Sequence, residues 1–267
     1  MKLKPKQSGI FATIGICVRQ IFDGSFLFVA GEYMVHFLKF FILILMWKSL
    51  AKGGVDLNGM TLSQLLTYTL MASVLRQQLE IVTGATASLW EGSIVGRYLR
   101  PMPIFTSFIT ETIGRWWIPV WLFYSLPMLL ISPLFGINPL PSRAIDGLLA
   151  LVSLVLSASL GFALDFLFAS IAIRLKNACW AAKQIREAIS ALLSGALIPF
   201  AMFSDAVGTV LSWLPFGSIA NAPLSIYIGT NQAGFLIGLQ LFWNIVIWWI
   251  SVIIFKKSEE RMISFGG

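Results

Sequence analysis

Charged side chains inside long apolar runs are the residues of this chain best suited to carry a function. Glu32, His36 and Lys39 stand at positions i, i+4 and i+7 of one apolar run, so a helix places all three on one face. A charge near the centre of a bilayer costs about 2.5–3.5 kcal/mol on insertion scales, so these side chains should face protein or water. The pattern fits two interpretations equally well: a translocation path, or a polar seam against a neighbouring helix or subunit.

The residue patterns of common catalytic sites are absent from the sequence. His36 is the only histidine, which excludes metal or haem sites built on a histidine pair and an HExxH peptidase. A serine peptidase would have to use that same histidine, and Asp165 lacks the partner acid and the Gly-x-Gly-Asp motif of an intramembrane aspartyl protease. No Gly-x-x-x-x-Gly-Lys-Ser/Thr motif is present to cradle nucleotide phosphates. We therefore expect no enzymatic activity, and no metal or cofactor bound by this chain.

The composition indicates a membrane protein. Of the 267 residues, 57% are hydrophobic and 12% are charged, whereas a soluble domain carries about 25% charged residues. The apolar residues form continuous runs rather than the short alternating segments of a β-barrel. The residues that give the net charge of +7 lie between these runs, so the charge does not indicate nucleic-acid binding. The predicted fold class is an all-α polytopic membrane protein.

The apolar runs and their breaks predict a single transmembrane domain over residues 1–267. An amphipathic helix over 8–23, with lysines ahead of it, should lie in the membrane interface as an elbow before the first span. The residues at 204–232 are rich in Pro, Gly, Ser and Asn, and are expected to form an outer re-entrant segment whose backbone is buried in protein. The six predicted transmembrane helices cover 26–50, 62–82, 105–131, 145–171, 188–203 and 233–255.

The spacing of polar residues and prolines in these spans predicts local features. Arg76–Glu80 and Glu111–Arg115 are i, i+4 pairs, each close enough to form an ion pair. Two prolines, Pro119 and Pro127, should kink the third span. Between the fourth and fifth spans, a second cytoplasmic loop is marked by Arg174, Lys176, Lys183 and Arg186.

The distribution of basic residues predicts the orientation. This arrangement puts thirteen Lys or Arg residues inside and three outside, namely Lys48, Lys52 and Arg143. Since basic residues concentrate in cytoplasmic loops, both termini should be cytoplasmic and the chain should lie in the plasma (inner) membrane. Cys17 and Cys179 then both lie on the cytoplasmic side, where no disulfide is expected.

One charged stretch, Leu89–Phe108, connects the second and third predicted spans. A short helix over Leu89–Arg100 is expected in it, and the six residues best placed to contact a cytoplasmic partner are Trp90, Glu91, Gly92, Arg97, Arg100 and Pro101. A tryptophan is the type of residue that dominates interfaces, and a proline ends a helix. The alternative is that the arginines only enforce the topology and the tryptophan only lies at headgroup depth.

The order of these features resembles that of ABC-2 type transporter permeases, the membrane-spanning subunits of bacterial ABC exporters. An elbow helix precedes six spans, and Gly92 is followed by Leu99-Arg100-Pro101 in the expected inner loop. Ser194-Gly195-Ala196-Leu197-Ile198-Pro199 ends the fifth span, and Leu214-Pro215-Phe216 and Pro223 follow it, a series similar to the outer re-entrant region of that family. The resemblance covers nearly the whole chain.

The resemblance implies an ATP-driven exporter in which two membrane subunits, identical or homologous, form the translocation path. Two copies of a separate ABC ATPase subunit would bind ATP and Mg, and the loop 83–104 would be the coupling loop that docks on them. Pro199, Pro215, Phe216 and Pro223 would belong to the re-entrant segment. The charged face of Glu32, His36 and Lys39 departs from the family pattern, because it carries more charge than the usual first span.

Two other functions fit parts of the sequence. An ion-coupled secondary transporter would use the Glu32, His36 and Lys39 face, but it predicts inverted repeats and broken midplane helices, and the sequence shows neither clearly. A non-transporting membrane scaffold would need no coupling loop.

Overall fold

The regular structure is helical throughout the part of the chain that the computed structural model describes, residues 5–22, 26–55, 57–172, 179–229 and 232–265. The helices are α1 (Pro5–Phe22), α2 (Phe26–Lys52), α3 (Leu62–Val74), α4 (Arg76–Leu79), α5 (Ala85–Trp90), α6 (Val95–Tyr98), α7 (Ile104–Thr112), α8 (Ile118–Val120), α9 (Leu126–Ile131), α10 (Ala144–Ala172), α11 (Cys179–Leu193), α12 (Asp205–Trp213), α13 (Asn221–Tyr227) and α14 (Ala233–Phe265).

Four helical stretches in the described residues are long and apolar enough to cross a membrane. They are Tyr33–Lys52, Ile104–Phe135, Ala144–Ile171 and Ala233–Ser258. These stretches correspond to the first, third, fourth and sixth predicted spans, so the all-α membrane class is confirmed. The total of six crossings stays a prediction, because the other two apolar runs do not form single helices of that length.

The predicted second span, 62–82, is interrupted. Helix α3 ends at Val74, α4 adds one turn, and residues 80–84 are not helical. Ser125 donates its hydroxyl to the carbonyl of Val74 at 2.7 Å, which gives the end of α3 a partner. The boundary prediction failed here because the apolar pattern does not show that side chains from other helices satisfy the backbone.

The predicted fifth span, 188–203, is also wrong as a single helix. Helix α11 ends at Leu193, and Gly195 has a φ of +81°, a left-handed conformation that glycine adopts without strain. The carbonyl of Gly195 accepts a hydrogen bond from the Tyr68 hydroxyl at 2.8 Å, and the carbonyl of Ser194 accepts one from the Asn221 amide at 2.8 Å. Contacts with α3 and α13 therefore end this helix early.

Helix α10 is the centre of the bundle, because it contacts α4, α5, α11, α13 and α14. Its longest contact is with α14, and a buried polar seam runs between the two. Gln240 accepts from the Ser153 hydroxyl at 2.8 Å and donates to the Ser157 hydroxyl at 2.9 Å. Asn244 donates to the carbonyl of Leu156 at 3.0 Å. Hydrogen bonds of this kind stabilise helix contacts in a membrane, because the hydrophobic effect does not drive helices together there.

The third long helical stretch contains two π-helical turns, Ile113–Trp117 and Trp121–Ser125, each ending two residues before a proline. Prolines 119 and 127, which the sequence predicts to kink this helix, have no N–H to bond the carbonyl four residues earlier. Those two carbonyls, of Arg115 and Phe123, lie inside the π turns. The distortion is therefore a widening of the helix at the missing bonds.

Helix α1 packs against the first of these π turns. A side chain at Gly114 would bring its Cβ within 2.9 Å of Cys17 Cβ and within 3.1 Å of the Ile14 backbone. The absence of a side chain thus allows the two helices to touch. Cys17 is buried in this contact, and burial raises the pKa of its thiol. A helix forms over Pro5–Phe22, where the sequence predicts an elbow over 8–23, and the role of this helix as an interfacial elbow stays a prediction.

The segment predicted to be re-entrant, 204–232, folds as α12, a turn and α13. The carbonyl of Ser218 in the turn accepts from Gln240 at 2.8 Å and from Ser157 at 3.1 Å, so the α10–α14 seam also holds this turn. Non-helical backbone at membrane depth is tolerated only with such protein partners. The four residues of the predicted motif are buried or half-buried: Pro199, Pro215, Phe216 and Pro223.

Candidate functional site

A cavity of about 820 Å³ opens among α2, α3, α10, α11 and the third long helical stretch. Its lining includes four residues of the stretch 83–87, residues of α11, and Ser194 and Ile219 of the broken segments. Its walls mix apolar side chains with charged ones of both signs. The ionisable residues that line it are His36, Lys39, Arg76, Glu80, Glu111, Arg115, Lys183, Arg186 and Glu187.

Two members of the charged face predicted on the first span line this cavity, His36 and Lys39. The side chain of Glu32 lies outside the described residues. Arg76 Nη1 lies 3.1 Å from His36 Nδ1, and Arg76 Nε donates to Glu80 at 2.9 Å, which confirms the predicted Arg76–Glu80 pair. The face thus borders the cavity and also contacts a neighbouring helix, so both sequence interpretations stay open.

A buried ion pair stands beside the cavity. Asp165 of α10 accepts from Arg186 Nη1 of α11 at 2.6 Å, and both side chains are at least nine-tenths buried. Asp165 also accepts from the amide of Thr83 at 3.1 Å and from the Thr83 hydroxyl. We call these three residues the inner node. They join the non-helical residues 80–84 to two long helices.

Sequence reasoning singles out Asp165 but assigns it no partner. The sequence places Arg186 in the predicted cytoplasmic loop between the fourth and fifth spans, together with Arg174, Lys176 and Lys183. In the structure α11 begins at Cys179, so Arg186 lies on a helix that contacts α10. A base near the start of one helix and an acid near the end of the preceding one are the signal that could have predicted the pair.

The predicted coupling loop contains two short helices, α5 and α6, rather than one helix over Leu89–Arg100. Gly92 separates them with a φ of +72°, and the amide of Ile94 donates to the carbonyl of Ser88 at 3.1 Å. This is the left-handed turn with which glycine commonly ends a helix. Helix α6 ends at Tyr98, before Pro101.

The exposed surface of α5–α6 mixes apolar and charged groups. Trp90 is 38% exposed and Leu99 is 88% exposed. Glu91, Arg100 and Pro101 are exposed as well, in agreement with a surface that meets a partner. A large aromatic residue surrounded by charges is the usual composition of a protein interface.

Arg97 differs from the other residues of this predicted set. Its guanidinium pairs with Glu111 at 2.8 Å, donates to the Ser107 hydroxyl at 3.1 Å and lies 4.0 Å from the centre of the Phe108 ring. Only 12% of its side chain is exposed. The sequence pairs Glu111 with Arg115, but that distance is 3.9 Å, so Arg97 is the closer partner. Arg97 therefore fastens α6 to α7.

Among the described residues, no group of three or more His, Cys, Asp or Glu side chains is placed to hold a metal ion. Most of the charged side chains around the cavity have a partner four residues away in the chain: Arg76 with Glu80, Glu111 with Arg115, and Lys183 with Glu187. They add charged groups to a largely apolar compartment inside a helical bundle.

The family model described as ABC-2 family transporter protein matches residues 33–266, which includes the cavity, α5–α6 and the inner node. No curated protein matches the chain. A match of this extent agrees with the helical bundle, the membrane-length helices and the sequence resemblance. The chain belongs to the ABC-2 transporter family and is a multi-pass membrane permease.

Proposed function

We propose that the chain is the permease subunit of an ATP-driven exporter. It pairs with a second permease subunit, identical or homologous, and two separate ATPase subunits bind ATP and Mg and drive the pair. The observation that carries this proposal is the position of α5. Thr86 and Ala87, the second and third residues of α5, line the cavity, while Trp90 at the other end is exposed. One short helix thus spans the distance from the cavity wall to a partner-facing surface.

This arrangement gives the ATPase a direct route to the cavity. A partner that binds α5–α6 differently in its ATP-bound and ATP-free states shifts the permease between two arrangements by that difference in binding free energy. Because Arg97 fastens α6 to α7, a displacement of α5–α6 also pulls on the third long helical stretch. The cavity then opens to one side of the membrane or the other, as in other rigid-body transitions.

The orientation that this proposal needs is the one predicted by the basic residues: six spans, both termini in the cytoplasm and α5–α6 inside. Reporter domains fused after Gly92 and Asn177 should report the cytoplasm, and those after Leu57 and Asn138 the opposite side. A reporter on the wrong side at any of the four positions would overturn the six-span arrangement.

The contact itself is tested with the double substitution Trp90→Ala/Glu91→Ala. The permease should still insert and fold, because both side chains are exposed or half-exposed and neither belongs to the buried core. It should lose binding of its ATPase, or lose the ATP hydrolysis that the permease stimulates. Binding is measured by co-purification and hydrolysis by phosphate release in proteoliposomes.

Trp213→Ala provides the matched control, since Trp213 is 55% exposed and lies on α12, at the predicted outer side. The control should bind and stimulate the ATPase like the parent. If the Trp90/Glu91 variant also behaves like the parent, α5–α6 is not the contact surface.

A further inference from the structure

We propose that the inner node is the link that transmits movement of α5–α6 to the cavity wall, with Thr83, Asp165 and Arg186 as its positioning residues. This inference rests on the proposed function and adds to it a specific route. The node lies between the partner-facing segment and the two helices that it would have to move.

The first step of the route is the connection from α5 to the node. The amide of Ala85, the first residue of α5, donates to the Thr83 hydroxyl at 3.1 Å. That hydroxyl in turn donates to Asp165 on α10, and the Thr83 amide donates to the same carboxylate at 3.1 Å. Thr83, two residues before the first residue of α5, therefore binds a buried carboxylate on the central helix.

The second step is the connection to α11. Arg186 donates to Asp165 through Nη1 at 2.6 Å and to the carbonyl of Ile81 through Nη2 at 3.4 Å. The guanidinium thus reaches α10 and the stretch 80–84 at the same time. Because Arg186 and Thr83 both line the cavity, a shift of this group changes the cavity wall.

The non-helical backbone explains why charges are placed here. The stretch 80–84 lacks the hydrogen bonds of a continuous helix, and a buried backbone group without a partner costs several kcal/mol in an apolar medium. The node supplies partners for the amide of Thr83 and the carbonyl of Ile81. A side chain at Gly161 would bring its Cβ within 3.0 Å of Ile81, so α10 also packs tightly on this stretch. The stretch 80–84 is therefore fixed by hydrogen bonds and close packing, although it is not helical.

A buried ion pair can be replaced without loss of the fold if both charges are removed together. Removal of one partner leaves an uncompensated charge, whereas two apolar residues of similar size are often tolerated. The double substitution Asp165→Leu/Arg186→Met therefore separates the transmission of movement from stability. It retains the packing and removes the bonds that join 80–84 to α10 and α11.

The experiment measures how far ATP changes the accessibility of the cavity. The reporter is Ser190→Cys, which lines the cavity on α11, in a background with Cys17→Ala and Cys179→Ala. The permease and its ATPase are reconstituted, and the rate of labelling by a water-soluble maleimide is compared with and without ATP, Mg and vanadate. In the parent this rate should change by more than about fivefold, the usual lower limit of allosteric coupling. In the Asp165→Leu/Arg186→Met variant it should change by less than about twofold, while ATPase binding is retained.

The control is an ion pair at the start of the same helix. Arg143, whose side chain is 63% exposed, donates to the buried Asp146 at 2.9 Å, and neither Arg143 nor Asp146 lines the cavity. Asp146→Leu/Arg143→Met introduces the same side chains and should keep the response of the parent.

The outcomes separate the two proposals. A parent complex in which ATP does not alter the labelling rate would overturn the proposed function. A responding parent together with an equally responsive Asp165→Leu/Arg186→Met variant would overturn the role of the node. If that variant cannot be recovered from membranes, Thr83→Val decides. It has nearly the same shape and keeps its amide bond to Asp165, so it should fold and show a reduced response. A full response in Thr83→Val would overturn the inference.

Discussion

Helix α10 makes two different polar contacts, one neutral and one charged. Toward α14, Ser153 and Ser157 exchange hydrogen bonds with Gln240, and no formal charge is involved. Toward α11 and residues 80–84, Asp165 meets Arg186 and Thr83. Both contacts are buried and all of these side chains have partners, so burial alone does not explain why one contact is charged.

The difference follows from the backbone that each contact supports. Helices α10 and α14 are continuous at the seam, so their own hydrogen bonds satisfy most of the backbone. Amide and hydroxyl groups complete the contact and, beyond the two helices, bind one turn carbonyl, that of Ser218. Residues 80–84 leave the helix and present backbone groups that need strong partners, which an ion pair supplies because charge-assisted bonds are stronger. Neutral groups thus join two continuous helices, and charged groups hold the non-helical stretch 80–84 next to the cavity.

The largest expected effect is on the charged contact. Arg186→Met leaves Asp165 buried without its partner and should lower the free energy of unfolding by about 3–5 kcal/mol. Asp165→Leu/Arg186→Met should recover part of this loss, because no unpaired charge remains, although the Thr83 amide and the Ile81 carbonyl still lack the partners that the pair supplies. The measurement is the unfolding midpoint in detergent. Equal midpoints for the single and the double variant would mean that the two charges do not compensate each other.

A smaller effect is expected at the neutral seam. Gln240→Leu removes the acceptor of the Ser153 hydroxyl and one of the two donors to the Ser218 carbonyl, which keeps its bond from Ser157, and should cost about 1–3 kcal/mol. It should also speed hydrogen exchange in the turn 214–220, because that turn is held by the same amide. Gln232→Leu, the same change at an exposed position, should alter neither quantity. A loss at Gln240 as large as that of Arg186→Met would remove the distinction between the two contacts.

The smallest effect concerns a contact that uses no polar side chains. Gly114→Ala forces α1 away from the π turn and should cost about 1–2 kcal/mol. Cys17, buried in that contact, should then react faster with a maleimide. Gly238→Ala, on α14 with open space around it, should instead leave stability unchanged or raise it by about 0.5–1 kcal/mol. Unchanged Cys17 reactivity in Gly114→Ala would show that α1 does not depend on this close approach.

The sequence predicts the parts of the fold that depend on length and composition. Four long apolar helices, a helix at the N-terminal end and the pair Arg76–Glu80 follow from period, hydropathy and i, i+4 spacing. The breaks at 80–84 and after Leu193 do not, because both are stabilised by residues distant in the chain.

The candidate site shows the same division between local and distant signals. The positive φ at Gly92 and the exposure of Trp90 agree with a partner-facing turn, and both depend on a short stretch of sequence. The engagement of Arg97 depends on Glu111, which lies on the next helix and is assigned by spacing alone to Arg115. Which of two bases pairs with one acid can be decided only from the distances between their side chains.

The contact between Phe105 and Phe255 also relates positions on two helices to one depth in the membrane. Their ring centres lie 4.8 Å apart, so the start of α7 and this point of α14 share one level. In the predicted orientation Lys256 and Lys257 follow on the cytoplasmic side, so this level is expected where hydrocarbon gives way to headgroups. Phe166, beside Asp165, is also 4.8 Å from Phe105. The same orientation predicts that the inner node lies near this boundary, where a charge costs less than at the bilayer centre. It also predicts that the chain just before Phe105, including α5–α6, lies on the side from which a water-soluble ATPase would reach it.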